Sequence, residues 1–564
     1  MKRLLSFIIF ISLAVGIAMA QQQTFTRADT LRGMLLPERT CYDVKYYHLD
    51  VKVDTLTKSI SGSNTILFEA TRNFDMMQVD LFANMKVDGI ELVGSGPATW
   101  TREFGAVHVK LPVEVKKGSL HLLRFVYSGS PQIALNPPWG GGFTWTHNAE
   151  GDPWICVTCQ GTGASLWWPN KDHQADEVDS MLISITVPSS LEDISNGRLR
   201  ARTNLGNGWT RYDWFVANPI NNYNVTVNIG KFAHWGEVYH GEGATYPLDY
   251  YVMPENLAKA KKQFTQVKSM LKCFEKDFGP YPWPEDGYKL IESPHNGMEH
   301  QSAVAYGNGF ENGYRGRASS AVGLKFDFII VHESAHEWWG NSITSKDIAD
   351  MWIHESFGAY AEALYVECMW GREQSLKYIN GKKTGVRNDR PIIGTYNVQN
   401  EGSGDMYNKG QLVLNTLRSV IDNDKLWFSI LRGLQKTFRH QTVTADDIFN
   451  YINAKTGTDY SYFFDQYLKH TKIPTLQIFV IKKGDTVMAR YRWQADVQDF
   501  HMPVKVTISP GKYDFIQPTA SWGSTVLHID DPADFKVAED LFYINLDLHT
   551  SYLVENPIKP HPRN

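Results

Sequence analysis

The sequence predicts a multidomain α+β protein, with a β-sandwich at the N-terminal end, a mainly helical domain in the middle and a small β-sandwich at the C-terminal end. Three observations carry that prediction. Apolar and polar residues alternate through much of the chain up to residue 244, the period of half-buried strands. From about 245 the pattern changes to helix-length runs with recognisable starts and stops. From about 474 the alternation returns. At 564 residues the chain is too long for one core. With 43% hydrophobic and 13% aromatic residues it can fill several.

The first twenty residues stand outside the fold. Lys2-Arg3 make a basic start, Leu4 to Gly16 are mostly apolar, and Ala18-Met19-Ala20 offers a small-residue cleavage site before Gln21. This is the pattern of a secretory signal peptide, so the chain is expected to be exported, to a periplasm or beyond. The apolar stretch is short for a membrane span. No cysteine follows the cleavage site to carry a lipid. No stable membrane insertion is expected after the leader is removed.

Residues 21–244 form the first domain. Tyr47 to Val53, Ser59 to Phe68 and Val107 to Leu111 each alternate, with turn residues between them. Residues 245–473 form the second. Pro254-Glu255-Asn256 opens a long helical stretch, Leu257 to Phe278, which Gly279-Pro280 stops. Phe326 to Val331 reads as a buried helix, with Gly340-Asn341 as its stop and Ser342 to Asp350 as a loop. A further helix starts near Met351 and runs towards Cys368, and Tyr460 to His470 closes the domain. In the third domain, 474–564, Leu476 to Val480 alternates, Lys483-Gly484-Asp485 turns, and Thr486 to Trp493 returns.

The chemistry concentrates in His332-Glu333-Ser334-Ala335-His336. Residues four apart share a helix face, so both imidazoles can grip one zinc ion. Glu333 lies beside that ion, where a carboxylate can take a proton from an attacking water. Catalytic zinc sites use three protein ligands and keep one position open. Glu355, in the first turn of the next helix, is the expected third. Asp347, Asp350 and Glu362 are candidates to orient the histidines, and the sequence does not choose among them.

Four ordered motifs give these residues a family likeness. His332-Glu333-Ser334-Ala335-His336, eighteen intervening residues and Glu355 resemble the signature of the M1 zinc aminopeptidases, or gluzincins. Asn296-Gly297-Met298-Glu299-His300 resembles that family's exopeptidase motif, with Asn296, Gly297 and His300 departing from it. Tyr407-Asn408-Lys409-Gly410 resembles its catalytic-tyrosine segment. Gln160-Gly161-Thr162-Gly163-Ala164 resembles the stretch that reaches into the active site from the N-terminal domain. The resemblance implies a saddle-like N-terminal sandwich and a thermolysin-like catalytic domain. It implies one zinc per chain on His332, His336 and Glu355, with Glu333 as general base and Tyr407 as oxyanion donor. Glu299 and Gln160 would bind a free α-ammonium group, and the backbone at Gly297 and Met298 would line the substrate. The expected activity is removal of N-terminal residues from peptides. The long helical C-terminal domain of many relatives needs more residues than remain, so it is expected to be absent and the cleft open. A thermolysin-like endopeptidase and an inactive peptide-binding scaffold are the alternatives. Glu299 and Gln160 argue against the first, retention of every reactive residue argues against the second, and nothing singles out the epoxide hydrolase side activity of one branch of the family.

The net charge of −5, with no long basic run, excludes a nucleic-acid footprint. Five cysteines are too few for a disulfide scaffold. Cys156 and Cys159 are either a local disulfide or two packed thiols, and Cys41, Cys273 and Cys368 read as single thiols. Oligomeric state is not legible.

Overall fold

A computed structural model describes residues 24–553. The expected leader lies outside the described residues.

The alternating runs of the first region are strands. Tyr42–Asp54 is central in an eight-stranded sheet, antiparallel to Ser59–Ala70 and parallel to Ser180–Pro188. Its apolar positions Tyr47, Leu49, Val51 and Val53 are buried, and Lys52 between them is exposed. This alternation is what period-two side-chain direction requires of a sheet with one face on a core. A second sheet, in the order Glu192–Ser195, Val227–Gly230, Pro153–Thr158, Gly142–His147, carries the Gln160 turn just beyond its third strand. The buried cluster of this region includes Ile291, Met298, Ala303 and Ala305. The N-terminal core therefore packs directly under the segment that carries Glu299.

The middle region combines helices with a four-stranded sheet, Ala233–His240, Thr245–Val252, Tyr288–Glu292 and Val304–Tyr306. Its first two strands form a hairpin, with position 244 in the connection. The long helical stretch is two helices, Leu257–Gln263 and Gln266–Phe278. The break falls where Phe264 turns into a cluster with Trp235, Tyr250 and Tyr306, and where the Thr265 hydroxyl donates back to the Lys262 carbonyl. Packing and a side-chain hydrogen bond override the helical period there. Gly279 ends the second helix at φ +107°, a conformation that favours glycine.

Helix Phe328–Ala335 starts two residues later than the apolar run suggests, because Asp327 caps it by accepting from the Ile329 and Ile330 amides. It also ends early, at Ala335, in tight turns through Trp338 and Trp339 to Gly340. The expected loop 342–350 contains a strand, Ile343–Ser345, paired with Gln441–Val443, and a short 3₁₀ turn at Ile348–Asp350. Helix Trp352–Trp370 follows as expected. The C-terminal region is a four-stranded sheet, Gly523–Leu527, Thr486–Gln494, Thr475–Lys483 and Asn545–Leu553, beside the hairpin Val504–Ser509 and Lys512–Ile516. Its buried side chains are continuous with those of the helical region.

The cysteine expectations need one correction. Cys273 and Cys368 form a disulfide, with Cα atoms 6.0 Å apart, joining Gln266–Phe278 to Trp352–Trp370. The two lie 95 residues apart, and only the side-by-side packing of their helices brings them together. Cys156 and Cys159 are buried free thiols, as is Cys41.

Candidate metal and peptide site

Helix Phe328–Ala335 and the first turn of Trp352–Trp370 meet so that three donor atoms face one point. His332 Nε2 and His336 Nε2 are 3.3 Å apart, and Glu355 Oε2 lies 3.6 and 3.5 Å from them. All three residues are buried. The other ring nitrogen of each histidine fixes its tautomer. His332 Nδ1 donates to Glu362 Oε1 at 2.7 Å, and His336 Nδ1 donates to the Trp339 carbonyl at 2.8 Å. Both Nε2 atoms therefore present lone pairs, to each other and to a carboxylate. Glu355 Oε2 has no hydrogen-bond partner. Facing lone pairs beside an orphaned carboxylate oxygen are unfavourable without a cation between them. Zinc bonds of about 2.0–2.1 Å in a tetrahedron set donor edges of about 3.3–3.4 Å. The residues fit such an ion with its fourth position left to the cleft.

The supporting contacts are specific. Of the three acids considered from sequence, Glu362 is the one that meets a zinc-site histidine. Burial works to raise its carboxyl, and Lys382, His332 and Tyr378 more than offset this, so it stays below its ordinary range. Lys382 Nζ stands 3.2 Å from it. Asp350 instead accepts from the Tyr396 hydroxyl and the Ala445 amide. Asp347 caps the turn at Ile348–Asp350.

Two more carboxylates, an amide and a phenol complete the site. Burial pushes Glu333 up to about 8, against His332, with Glu355 and Glu362 adding to the rise. Gly297 is a steric requirement of this arrangement: a Cβ there would stand 2.5 Å from the Glu333 side chain. Burial first, then Glu355 and Glu333, hold Glu299 well above the usual carboxylate range. Gln160 reaches in from the N-terminal region, and its amide nitrogen donates to Glu299 Oε1 at 2.6 Å and to Glu355 Oε1 at 2.8 Å. Both amide hydrogens are taken, so its carbonyl oxygen is what it can offer a ligand. The Met298 amide and carbonyl are both paired with Ala305. The ring of half-buried Tyr407 lies 5.9 Å from that of His332.

Tyr223 and His354 escaped the sequence analysis. The Tyr223 hydroxyl donates to Glu299 Oε1 at 3.2 Å and lies 3.5 Å from His354 Nδ1. His354 Nε2 accepts from the Ser345 amide, so its Nδ1 carries a proton towards the Tyr223 oxygen. A lone tyrosine in an Asn-rich turn gives no signal in sequence. His354 stands beside a candidate ligand, Glu355, which marks it only in retrospect.

The site residues open on a cavity of about 620 Å³ lined by Gly297, Glu299, Glu333, Arg317 and Arg387 among others. A second cavity of about 460 Å³ meets it at Gln160, Glu355 and Tyr407.

Residues 262–467 match the Peptidase family M1 domain. The chain carries a peptidase family M1 domain. Relatives agree with the assignment. The chain is 22% identical over 344 residues to leucyl aminopeptidase of Saccharolobus solfataricus, covering 58% of this chain and 42% of that protein. It is 21% identical to leukotriene A-4 hydrolase of Xenopus laevis, covering 76% and 70%. To endoplasmic reticulum aminopeptidase 1 of Mus musculus it is 22% identical, covering 61% and 37%. It thus spans less than half the length of two of these three. The fold matches an M1 zinc metallopeptidase mutant from Deinococcus radiodurans, crystallised with a Tyr-Ser-Ala substrate, at a TM-score of 0.64 and 20% identity, covering 78% of this chain and 98% of that one. Among the described residues no helix is long and apolar enough to cross a membrane.

Proposed function

We propose that the chain is an exported zinc-dependent aminopeptidase that hydrolyses the N-terminal peptide bond of peptides. The observation that carries this is the Gln160 bridge. One amide ties Glu299, an acid suited to an α-ammonium group, to Glu355, an acid suited to the metal. A site that binds a free amine beside its hydrolytic centre cuts next to that amine.

When bound, zinc polarises the scissile carbonyl and makes water acidic near neutral pH. Glu333 accepts the proton of the attacking water and returns it to the leaving amine. Tyr407 donates its hydroxyl hydrogen bond to the carbonyl oxygen as charge develops there. Glu299 pairs with the substrate α-ammonium, and the Gln160 carbonyl oxygen accepts a second of its hydrogens. The Gly297 backbone borders the bound peptide, with Met298 behind it held against Ala305. An internal peptide segment brings no positive charge, leaving Glu299 desolvated and unpaired, which disfavours endopeptidase cleavage.

The test is one peptide in two forms, free and N-acetylated, incubated with the zinc-loaded protein and followed by mass spectrometry, with and without a chelator. Stepwise loss from the free form alone, abolished by chelator, is expected. Internal cleavage of both forms would make the protein an endopeptidase, and no cleavage across a varied peptide pool would make it a binding scaffold.

A further inference from the structure

The two cavities that meet at the metal residues are chemically different. The 620 Å³ cavity includes Glu333, the group that hands a proton to the leaving amine, so the departing part of the peptide runs there. The 460 Å³ cavity does not include Glu333. It adjoins Gln160, Glu355 and Tyr407 on the other side. Gln160, Glu355 and Tyr407 line both cavities, so a first residue whose ammonium is held at Glu299 and Gln160, and whose carbonyl faces Tyr407, can direct its side chain into this second space while the rest of the peptide leaves through the first. The wall there is polar, with Thr162, Gln399 and Glu401. The Glu401 carboxylate lies against Gly161, its Oε2 3.4 Å from where a Cβ on that glycine would stand, and so next to Gln160. Among the described residues Glu401 makes no ion pair within 4 Å and accepts no hydrogen bond. Glu401 is exposed to the cleft, and partial desolvation, then Glu355, raise its carboxyl, with Arg390 acting the other way.

On the aminopeptidase reading above, we propose that Glu401 is the residue that selects the first side chain, and that the preferred substrates are peptides beginning with lysine or arginine. A long cationic side chain supplies the partner that Glu401 lacks, its apolar stem can lie along Met351 and Met406, and its head group has further acceptors on the same wall. An apolar side chain of equal length would fill the space and leave the carboxylate unpaired. Arg390 stands on the same wall, is exposed as Glu401 is, and has the opposite sign. It would favour a glutamate-first peptide if it governed selection.

The experiment uses the full zinc-loaded chain and four tripeptides differing only in the first residue: lysine, arginine, norleucine and glutamate. The quantity read is the ratio of kcat/KM for lysine over norleucine. A ratio of about two to five is expected for a charge pair at an exposed carboxylate. Glu401→Gln should bring it close to one, and Glu401→Lys should turn the order towards the glutamate peptide. A wild-type ratio near one, a best substrate beginning with glutamate, or a ratio that survives both substitutions would overturn the proposal. Calorimetric binding of lysine amide and norleucine amide to the zinc-loaded wild type and to Glu401→Gln gives the same comparison without turnover. If the wild type cleaves none of the peptides, the aminopeptidase reading fails, while the amide binding still decides whether Glu401 recognises a cation.

Discussion

The two walls of the cleft are built on opposite principles. On the helical wall, His332, Glu333, His336 and Glu355 lie within 24 positions of one another, on two short runs of backbone. Helix spacing aligns the two histidines, and the packing of two neighbouring helices brings Glu355 to them. On the opposite wall, Gln160 meets Glu299 across 139 positions and Glu355 across 195, and Tyr223 meets Glu299 across 76. Nothing local assembles that wall; it depends on the N-terminal sandwich docking against the Glu299 segment. The helical wall suits the reaction, and the opposite wall suits the choice of substrate.

That division can be broken by mutation. Glu333→Gln, on the helical wall, should lower kcat by about 10³-fold or more while a stoichiometric zinc ion remains by metal analysis. Zinc loss in that variant would mean that base and ligand have been confused. Tyr407→Phe should lower kcat by about 10²–10³-fold with KM nearly unchanged. A change confined to KM would move Tyr407 to the selecting wall. Glu362→Gln should weaken zinc binding by about 10–100-fold in a chelator competition, since it removes the negative charge of the acceptor that holds His332 in its ligating tautomer. Unaltered affinity would leave Glu362 with a packing role only. Tyr223→Phe has the smallest expected effect, a rise of about 5–10-fold in KM for free-amine peptides as one hydrogen bond to the Glu299 carboxylate is lost. Equal changes for acetylated and free peptides would detach Tyr223 from ammonium binding.

The same contrast explains what was legible in the sequence. Helix period and ligand spacing are short-range properties, so the metal trio and the helix of Glu355 could be read directly. Strands with one buried face, such as Tyr42–Asp54, betray themselves by alternation. Gln160 and Glu299 were reached through family likeness, since one sequence does not say that residues 139 apart touch. Tyr223 had neither spacing nor motif. The Cys273–Cys368 bridge was missed for the same reason: two cysteines on separate helices carry no pattern until the helices pack. The break at Phe264–Thr265 and the early end at Ala335 were hidden because aromatic packing and tight turns, not helical propensity, decide them.

Gly410 gives Tyr407 a meaning beyond its own hydroxyl. A methyl group on Gly410 would come 2.0 Å from Ser356 Oγ, so helix Asp405–Ile421 lies against helix Trp352–Trp370 with only the Ser356 side chain between them, its hydroxyl donating to the Met406 carbonyl. Tyr407 sits one turn before the contact on one helix and Glu355 one residue before it on the other. The gap between the proposed oxyanion donor and the proposed metal ligands is thus gauged by a glycine pressed on a serine, as a calliper is set by its jaws. Widening the jaws by a single carbon would carry the hydroxyl away from the carbonyl while every zinc ligand stayed in register, and the protein would hold its metal firmly and work it slowly.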